Sequence, residues 1–145
     1  MATSIQLVFD TSDPSRQATF WKAALGYRLQ DPPSGFESWE DFLKAQGIPQ
    51  ERWNDASAIV DPDGRQPRIY FQRVPEGKVA KNRLHMDLNV GGGPGVPVEE
   101  RRRRVDAEVG RLKELGATDE RGAIERDGEY WVRMNDPEGN EFCVQ

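Results

Sequence analysis

At 145 residues the chain is long enough for one domain that buries about two thirds of its unfolded surface. Six Phe, four Trp and three Tyr exclude a disordered chain, and a net charge of −5 excludes nucleic-acid binding driven by phosphate neutralisation. The one basic run, Arg101–Arg104, follows Glu99 and Glu100 and reads as the solvated start of a helix. A single cysteine, Cys143, rules out an intramolecular disulfide and suits a reducing compartment. The start MATSIQLVFDTSD has no charged segment leading into an apolar core, and no apolar run approaches the roughly 20 residues that span a membrane. A cytoplasmic protein is expected, with no membrane contact.

In chain order, Ile5–Asp10 alternates as a first strand, with Ile5, Leu7 and Phe9 on one face and Gln6, Val8 and Asp10 on the other. Ser12 or Asp13 caps a helix that opens on Pro14, buries Ala18, Trp21 and Leu25, and stops at Gly26. Tyr27–Leu29 begins a second strand, broken by Pro32-Pro33-Ser34-Gly35. An insertion over 32–54 carries a short amphipathic helix around Trp39, Phe42 and Leu43. Strands follow at Ser57–Val60 and Arg68–Val74, on either side of the turn Asp61-Pro62-Asp63-Gly64.

The stretch 83–90, RLHMDLNV, holds the only histidine, His85. Its alternation predicts a strand with Leu84, Met86, Leu88 and Val90 on one face and His85, Asp87 and Asn89 on the other. After a glycine-rich break, Val98–Leu115 reads as a helix whose inner stripe is Val105, Val109, Leu112 and Leu115, closed by Gly116. Strands near Thr118–Glu125, Tyr130–Asn135 and Glu141–Gln145 complete the chain, with Asp136-Pro137-Glu138-Gly139 turning into the last.

The order is β-α-β-β-β, twice. Ile5-Gln6-Leu7 aligns with Leu84-His85-Met86, Ala24-Leu25-Gly26 with Glu114-Leu115-Gly116, and Asp61-Pro62-Asp63-Gly64 with Asp136-Pro137-Glu138-Gly139. Three matches in register predict an internal repeat with halves at about 1–76 and 82–145 of a single 1–145 domain. Such a domain is α+β: two βαβββ modules pairing into an open eight-stranded cup, helices outside and the polar faces inside.

Phe20-Trp21 with Leu25-Gly26, the run Tyr70–Glu76, the run Lys81–Leu88 and the run Asp136–Cys143 together resemble the vicinal oxygen chelate superfamily. That superfamily contains glyoxalases, bleomycin- and fosfomycin-resistance proteins and extradiol dioxygenases. More narrowly the chain is similar to actinobacterial glyoxalase-like proteins, and only the 32–54 insertion falls outside the likeness. Catalytic members hold a divalent metal as a Lewis acid, on ligands from the first and last strand of each half. Position by position, the resemblance places these ligands on Gln6, on His85 and on Tyr70 or Gln72. The usual glutamate, seven residues after the aspartate of the second turn, is here Cys143; the nearby carboxylate is Glu141, two residues earlier on the same face.

Each of these residues has a plain reading beside its functional one. His85 can be a hydrogen-bonded wall residue, a ligand contact, a general base or a metal ligand; a lone histidine makes a poor metal site. Cys143 can be a soft metal ligand or nucleophile, but its neighbours Phe142 and Val144 favour an inert, buried thiol. Glu141 can be a general base or a strand residue paired with Lys or Arg. Lys81, Asn82 and Arg83 read as a solvated loop ahead of capture of an anionic or polar ligand. Trp39, Phe42 and Trp53 can form an aromatic lid or simply pack the insertion down.

With Cys143 in the glutamate's place, the leading reading is a metal-free small-molecule-binding protein of resistance or sequestration type. Its ligand would be lined by Gln6, Tyr70, Gln72, His85, Glu141, Cys143 and Trp39. The alternatives are a divalent-metal lyase, isomerase or dioxygenase using Gln6, His85 and Glu141, a metal-free acid–base enzyme on His85 and Glu141, or a scaffold without a ligand. The resemblance also implies modules that pair within or between chains, so a homodimer is compatible with the sequence.

Overall fold

The structure, a computed structural model, describes residues 1–145 with the exception of the side chain of Glu120. It divides into two compact units, Met1–Gly77 and Lys78–Gln145. The first contains β1 (Leu7–Thr11), α1 (Pro14–Leu25), β2 (Arg28–Leu29), α2 (Trp39–Ala45), a single 3-10 turn at Gln50–Arg52, β3 (Ala56–Val60) and β4 (Ile69–Arg73). The second contains β5 (Asp87–Leu88), α3 (Val98–Glu114), β6 (Thr118–Arg126), β7 (Glu129–Asn135) and β8 (Glu141–Val144).

Each unit forms a four-stranded mixed sheet, in the order β1-β4-β3-β2 and β5-β8-β7-β6. In both, the first strand runs parallel to the last, and the remaining pairs are antiparallel. Identical strand order in the two units is the βαβββ repeat read from the sequence. The aspartate that opens each repeat turn does the same work twice. Asp61 accepts the backbone N–H of Asp63 at 3.0 Å and of Arg65 and Gln66 at 2.9 Å. Asp136 accepts those of Glu138 at 2.9 Å and Asn140 at 3.0 Å. The closing glycines, Gly64 and Gly139, take positive φ of 68° and 86°, which a side chain would strain.

In the first unit, the helix cap falls on Asp13, whose carboxylate accepts the Arg16 N–H at 3.2 Å and the Asn54 amide at 2.8 Å. Gly26 ends α1 in the left-handed conformation. The inner side of α1 buries Ala18, Phe20, Trp21 and Ala24 against Ile59, Ile69 and Phe71. Phe9 bridges the two layers, its ring 5.4 Å from that of Trp21 and 5.3 Å from that of Phe71. Val8, Tyr70 and Gln72 alternate onto the sheet's other face. In the second unit, Val105, Val109 and Leu112 of α3 bury against Val132, Met134, Phe142 and Val144, leaving the opposite sheet face to Asp87, Arg133 and Cys143.

Three sequence expectations need correction. The strand predicted over 83–90 is regular only at Asp87–Leu88, because residues 83–84 bend away and Leu84 stands 70% exposed. Leu115 does not join the inner stripe of α3: it caps the helix, exposed, and Ala117 is buried just after it. Nor is the Arg101–Arg104 run wholly solvated. Arg103 and Arg104 bind Glu100 at 2.7 and 2.8 Å, but Arg101 donates to the Gly128 carbonyl at 3.0 Å and Arg102 pairs with Glu125.

Asp13→Ala should lower the unfolding free energy by about 1–2 kcal/mol, the usual cost of a lost cap. The Asn54 and Arg16 hydrogen bonds hold the Asp13 carboxyl below its ordinary value of 3.8. A carboxyl lowered in the folded state stabilises above that value and stops doing so as pH falls through its folded pKa. Denaturant titrations should therefore show the wild-type advantage at pH 7 and its disappearance in strong acid.

Candidate functional site

The open face of the second sheet is organised by β5 lying beside β8. The Cys143 N–H donates to the Met86 carbonyl at 2.9 Å, the Gln145 N–H to Leu88 at 3.0 Å, and the Val90 N–H to Gln145 at 2.8 Å. This register sets Asp87 against Cys143 and buries Leu88 and Val144 on the other side. His85, two residues before Asp87, lies just outside the regular strand. Alternate residues of an extended strand sit about 6–7 Å apart, so the bend at 83–84 matters. With the chain released from the ladder there, His85 Nε2 comes within 3.4 Å of Asp87 Oδ1.

One imidazole nitrogen, one carboxylate oxygen and the Cys143 sulfur all lie within 4.8 Å of one another. The His85 and Asp87 side chains are 43% and 41% exposed, so a molecule from solvent can reach them. Cys143 is half-buried. Burial raises its thiol above the ordinary 9.0, and the charge and hydrogen bond of Asp87 raise it further, with Arg133 and Lys81 opposing weakly. At neutral pH the sulfur keeps its proton and the thiol is a donor, not a nucleophile.

Glu141 stands outside this group. Its carboxylate accepts the Asn82 N–H at 2.9 Å and pairs with the Lys78 ammonium at 3.3 Å. Burial alone would raise the Glu141 carboxyl; the backbone N–H groups of Asn82 and Glu141 itself, with Lys78, outweigh burial and hold it below 4.5. These contacts pair the strand carboxylate with a lysine and tie the 78–82 segment to β8. A carboxylate so held is a weak base.

The remaining sequence candidates lie in the first unit. The Gln6 side-chain oxygen accepts Arg68 Nη1 at 2.7 Å, and the Gln72 amide donates to Asp10 at 2.7 Å. Tyr70 lies under the Arg68 guanidinium, 5.2 Å from ring centroid to cation. Trp39, 40% exposed, donates its indole N–H to the Gln30 carbonyl at 2.7 Å, and Phe42 meets its ring edge-on at 5.8 Å. Gln30 in turn accepts Arg68 Nε at 2.6 Å. Arg68 is the residue sequence reasoning missed. The signal was its position two before Tyr70, on the same face of the strand.

These contacts also test the metal that the fold suggests. Of the three ligands read from the sequence, Gln6 gives its oxygen to a guanidinium and Glu141 to an ammonium. A metal at either residue would have to displace the basic group that it already meets. His85, Asp87 and Cys143 are the set that fits, offering nitrogen, oxygen and sulfur to a borderline first-row ion. Binding would have to remove the thiol proton.

A model of the glyoxalase-like domain matches residues 6–145. The chain belongs to the glyoxalase-like family. Solved structures agree on the fold. A possible glyoxalase from Bacillus cereus superposes with a TM-score of 0.61 at 16% identity, covering 100% of this chain and 99% of the other. A glyoxalase/bleomycin resistance protein/dioxygenase family enzyme from Burkholderia phytofirmans gives 0.60 at 15%, covering 96% and 94%. The fosfomycin resistance protein FosX of Listeria monocytogenes gives 0.62 at 10%, covering 99% and 92%. A search of curated proteins finds no match. No helix of this glyoxalase-like protein is long and apolar enough to cross a membrane.

The coupling of Asp87 to the thiol is measurable. Asp87→Asn removes a charge that raises the Cys143 pKa, so the thiolate fraction at a given alkaline pH increases. Alkylation of Cys143 by iodoacetamide at pH 8 should run measurably faster in the variant, because more of the thiol is ionised. An unchanged rate would show that Asp87 does not act on the thiol.

Proposed function

We propose that this protein binds a small organic molecule on the open face of its second sheet, with His85 and Asp87 as the polar contacts. The role is of resistance or sequestration type, in which the ligand is held and released unchanged. The observation that carries this reading is the solvent-facing His85–Asp87 pair, whose donor atoms and the Cys143 sulfur lie within 4.8 Å of one another. Such a group offers an imidazole that donates or accepts, a carboxylate acceptor and a thiol donor, within one ligand's reach. It lacks an activated nucleophile. The acid–base alternative on His85 and Glu141 is opposed by the Lys78 and Asn82 contacts that tether Glu141. Resemblance in fold to a fosfomycin resistance protein is compatible with the role, though the fold hosts many functions.

A metal-dependent lyase, isomerase or dioxygenase is the second reading, favoured by the 4.8 Å clustering of three donor atoms. A metal held by His85, Asp87 and Cys143 would supply Lewis acidity to oxygens of the substrate.

Metal analysis of protein purified without chelators separates the two. The binding reading expects substoichiometric metal in both wild type and His85→Ala. Stoichiometric metal in the wild type that disappears in His85→Ala would replace it with the second reading. A thermal-shift screen against small molecules should then find ligands that raise the wild-type melting temperature but not that of His85→Ala. Mass spectrometry should recover those ligands unaltered after incubation.

A further inference from the structure

Among the described residues, the first unit contains a half-buried cation, Arg68, with no acidic side chain at ion-pair distance. Arg68 is half-buried at the start of β4. Among the described residues its side-chain partners are the Gln30 oxygen at 2.6 Å, the Gln6 oxygen at 2.7 Å and the Tyr70 ring at 5.2 Å. All three are neutral. Arg101 and Arg102, also half-buried, instead meet Glu129 and Glu125. A guanidinium stays charged at any pH the protein meets, and a partly desolvated one is normally paired with an acid.

The arrangement also fixes the group. Gln30 engages Nε and Gln6 engages Nη1, while the Tyr70 ring supports the plane from one side. Two of five N–H donors are thereby used, and both N–H groups of Nη2 remain without an acceptor among the described residues. Gln30 is itself held by its backbone, its N–H bonding Ala58 at 3.0 Å and its carbonyl accepting the Trp39 indole. One step along the sheet, Val8, Tyr70 and Ala58 are neighbours across three strands, and Val8 is 50% exposed. A rigid fork with free donors thus stands beside an apolar strip.

We propose that Arg68, positioned by Gln6 and Gln30 and backed by Tyr70, is an oxyanion-binding subsite for a small organic acid. The anionic head, a carboxylate or a phosphoryl group, would meet the free guanidinium donors, and the apolar body would lie along Val8 and the Tyr70 edge. Gln6 and Gln30 are positioning residues in this assignment. It concerns the first unit alone and does not rest on the reading of His85.

The test is a titration of the 15N-labelled protein, following the Arg68 Nε–Hε resonance, with benzoate, inorganic phosphate and neutral benzamide. Benzoate, phosphate or both should shift it saturably, and the tighter of the two identifies the head group; benzamide should not. Arg68→Gln should weaken anion binding about tenfold or more, the equivalent of one charge-assisted hydrogen bond, followed through the Tyr70 and Val8 resonances. Arg68→Lys keeps the charge without the fork and should bind less tightly than wild type; it carries the comparison should Arg68→Gln fail to fold. His85→Ala should bind as wild type does, which keeps this result separate from the fate of the His85 reading. The assignment is overturned by the absence of saturation with both anions, by benzamide binding as well as benzoate, or by full binding in the folded Arg68 variants.

Discussion

The parallel pairing of β5 with β8 is the constraint on which the candidate site depends. It is short, a two-residue strand with backbone hydrogen bonds continuing on either side of it, yet it decides which side chains can meet. A slip of β5 by one residue would send Asp87 into the core and bring Leu88 out, away from Val144. Burying two such apolar side chains is worth about 1.5–3 kcal/mol each, whereas a solvent-exposed ion pair contributes about 0–1 kcal/mol. The core therefore positions the His85–Asp87 contact, and that contact does little to hold the fold. Residues freed from structural duty are available to a ligand.

Electrostatics divides the remaining candidates. Gln6 and Glu141 both offer oxygen, and in each case a fixed cation of the protein already takes it. The outcome differs because the acceptors differ. Glu141 neutralises Lys78, leaving a closed pair that anchors the 78–82 segment. Gln6 is neutral, so it orients Arg68 without cancelling its charge. The same type of contact consumes a charge in one unit and presents one in the other.

Much of the architecture was legible because its signals are local. The Asp-Pro-x-Gly turns, the helix-closing glycines and the Pro14 helix start announce the repeat, and each depends on a few adjacent residues. What escaped depends on distant partners. Alternation over 83–90 marks residues able to form a strand, but the length realised follows from the partner, and β8 has only four residues. Arg68 carries no motif; the glutamines that hold it are 38 and 62 positions away. Asp87 was visible on the His85 face, whereas its contact with His85 depends on side-chain positions that alternation does not encode, and the exposed Leu84 breaks the pattern's own logic. The lysine that meets Glu141 likewise lies 63 residues from it.

The two units show how one backbone plan supports different chemistry. Val8 faces Tyr70 across the parallel pair of the first sheet, and Asp87 faces Cys143 across that of the second. Two residues earlier along the chain stand Gln6 with Arg68, each just ahead of its strand, and His85, ahead of β5, with Glu141, the first residue of β8. Carrying each ladder back to these positions sets Gln6 opposite Arg68 and His85 opposite Glu141, so one address carries a cation in the first unit and an anion in the second. In the first unit that address faces its strand neighbour: Arg68 bonds Gln6, a neutral partner. In the second, Glu141 turns to Lys78 and Asn82, and His85 closes on Asp87 instead. The repeat supplies equivalent positions on two sheets, and local pairing decides which groups keep unused donors or acceptors: a guanidinium on one, an imidazole and carboxylate on the other.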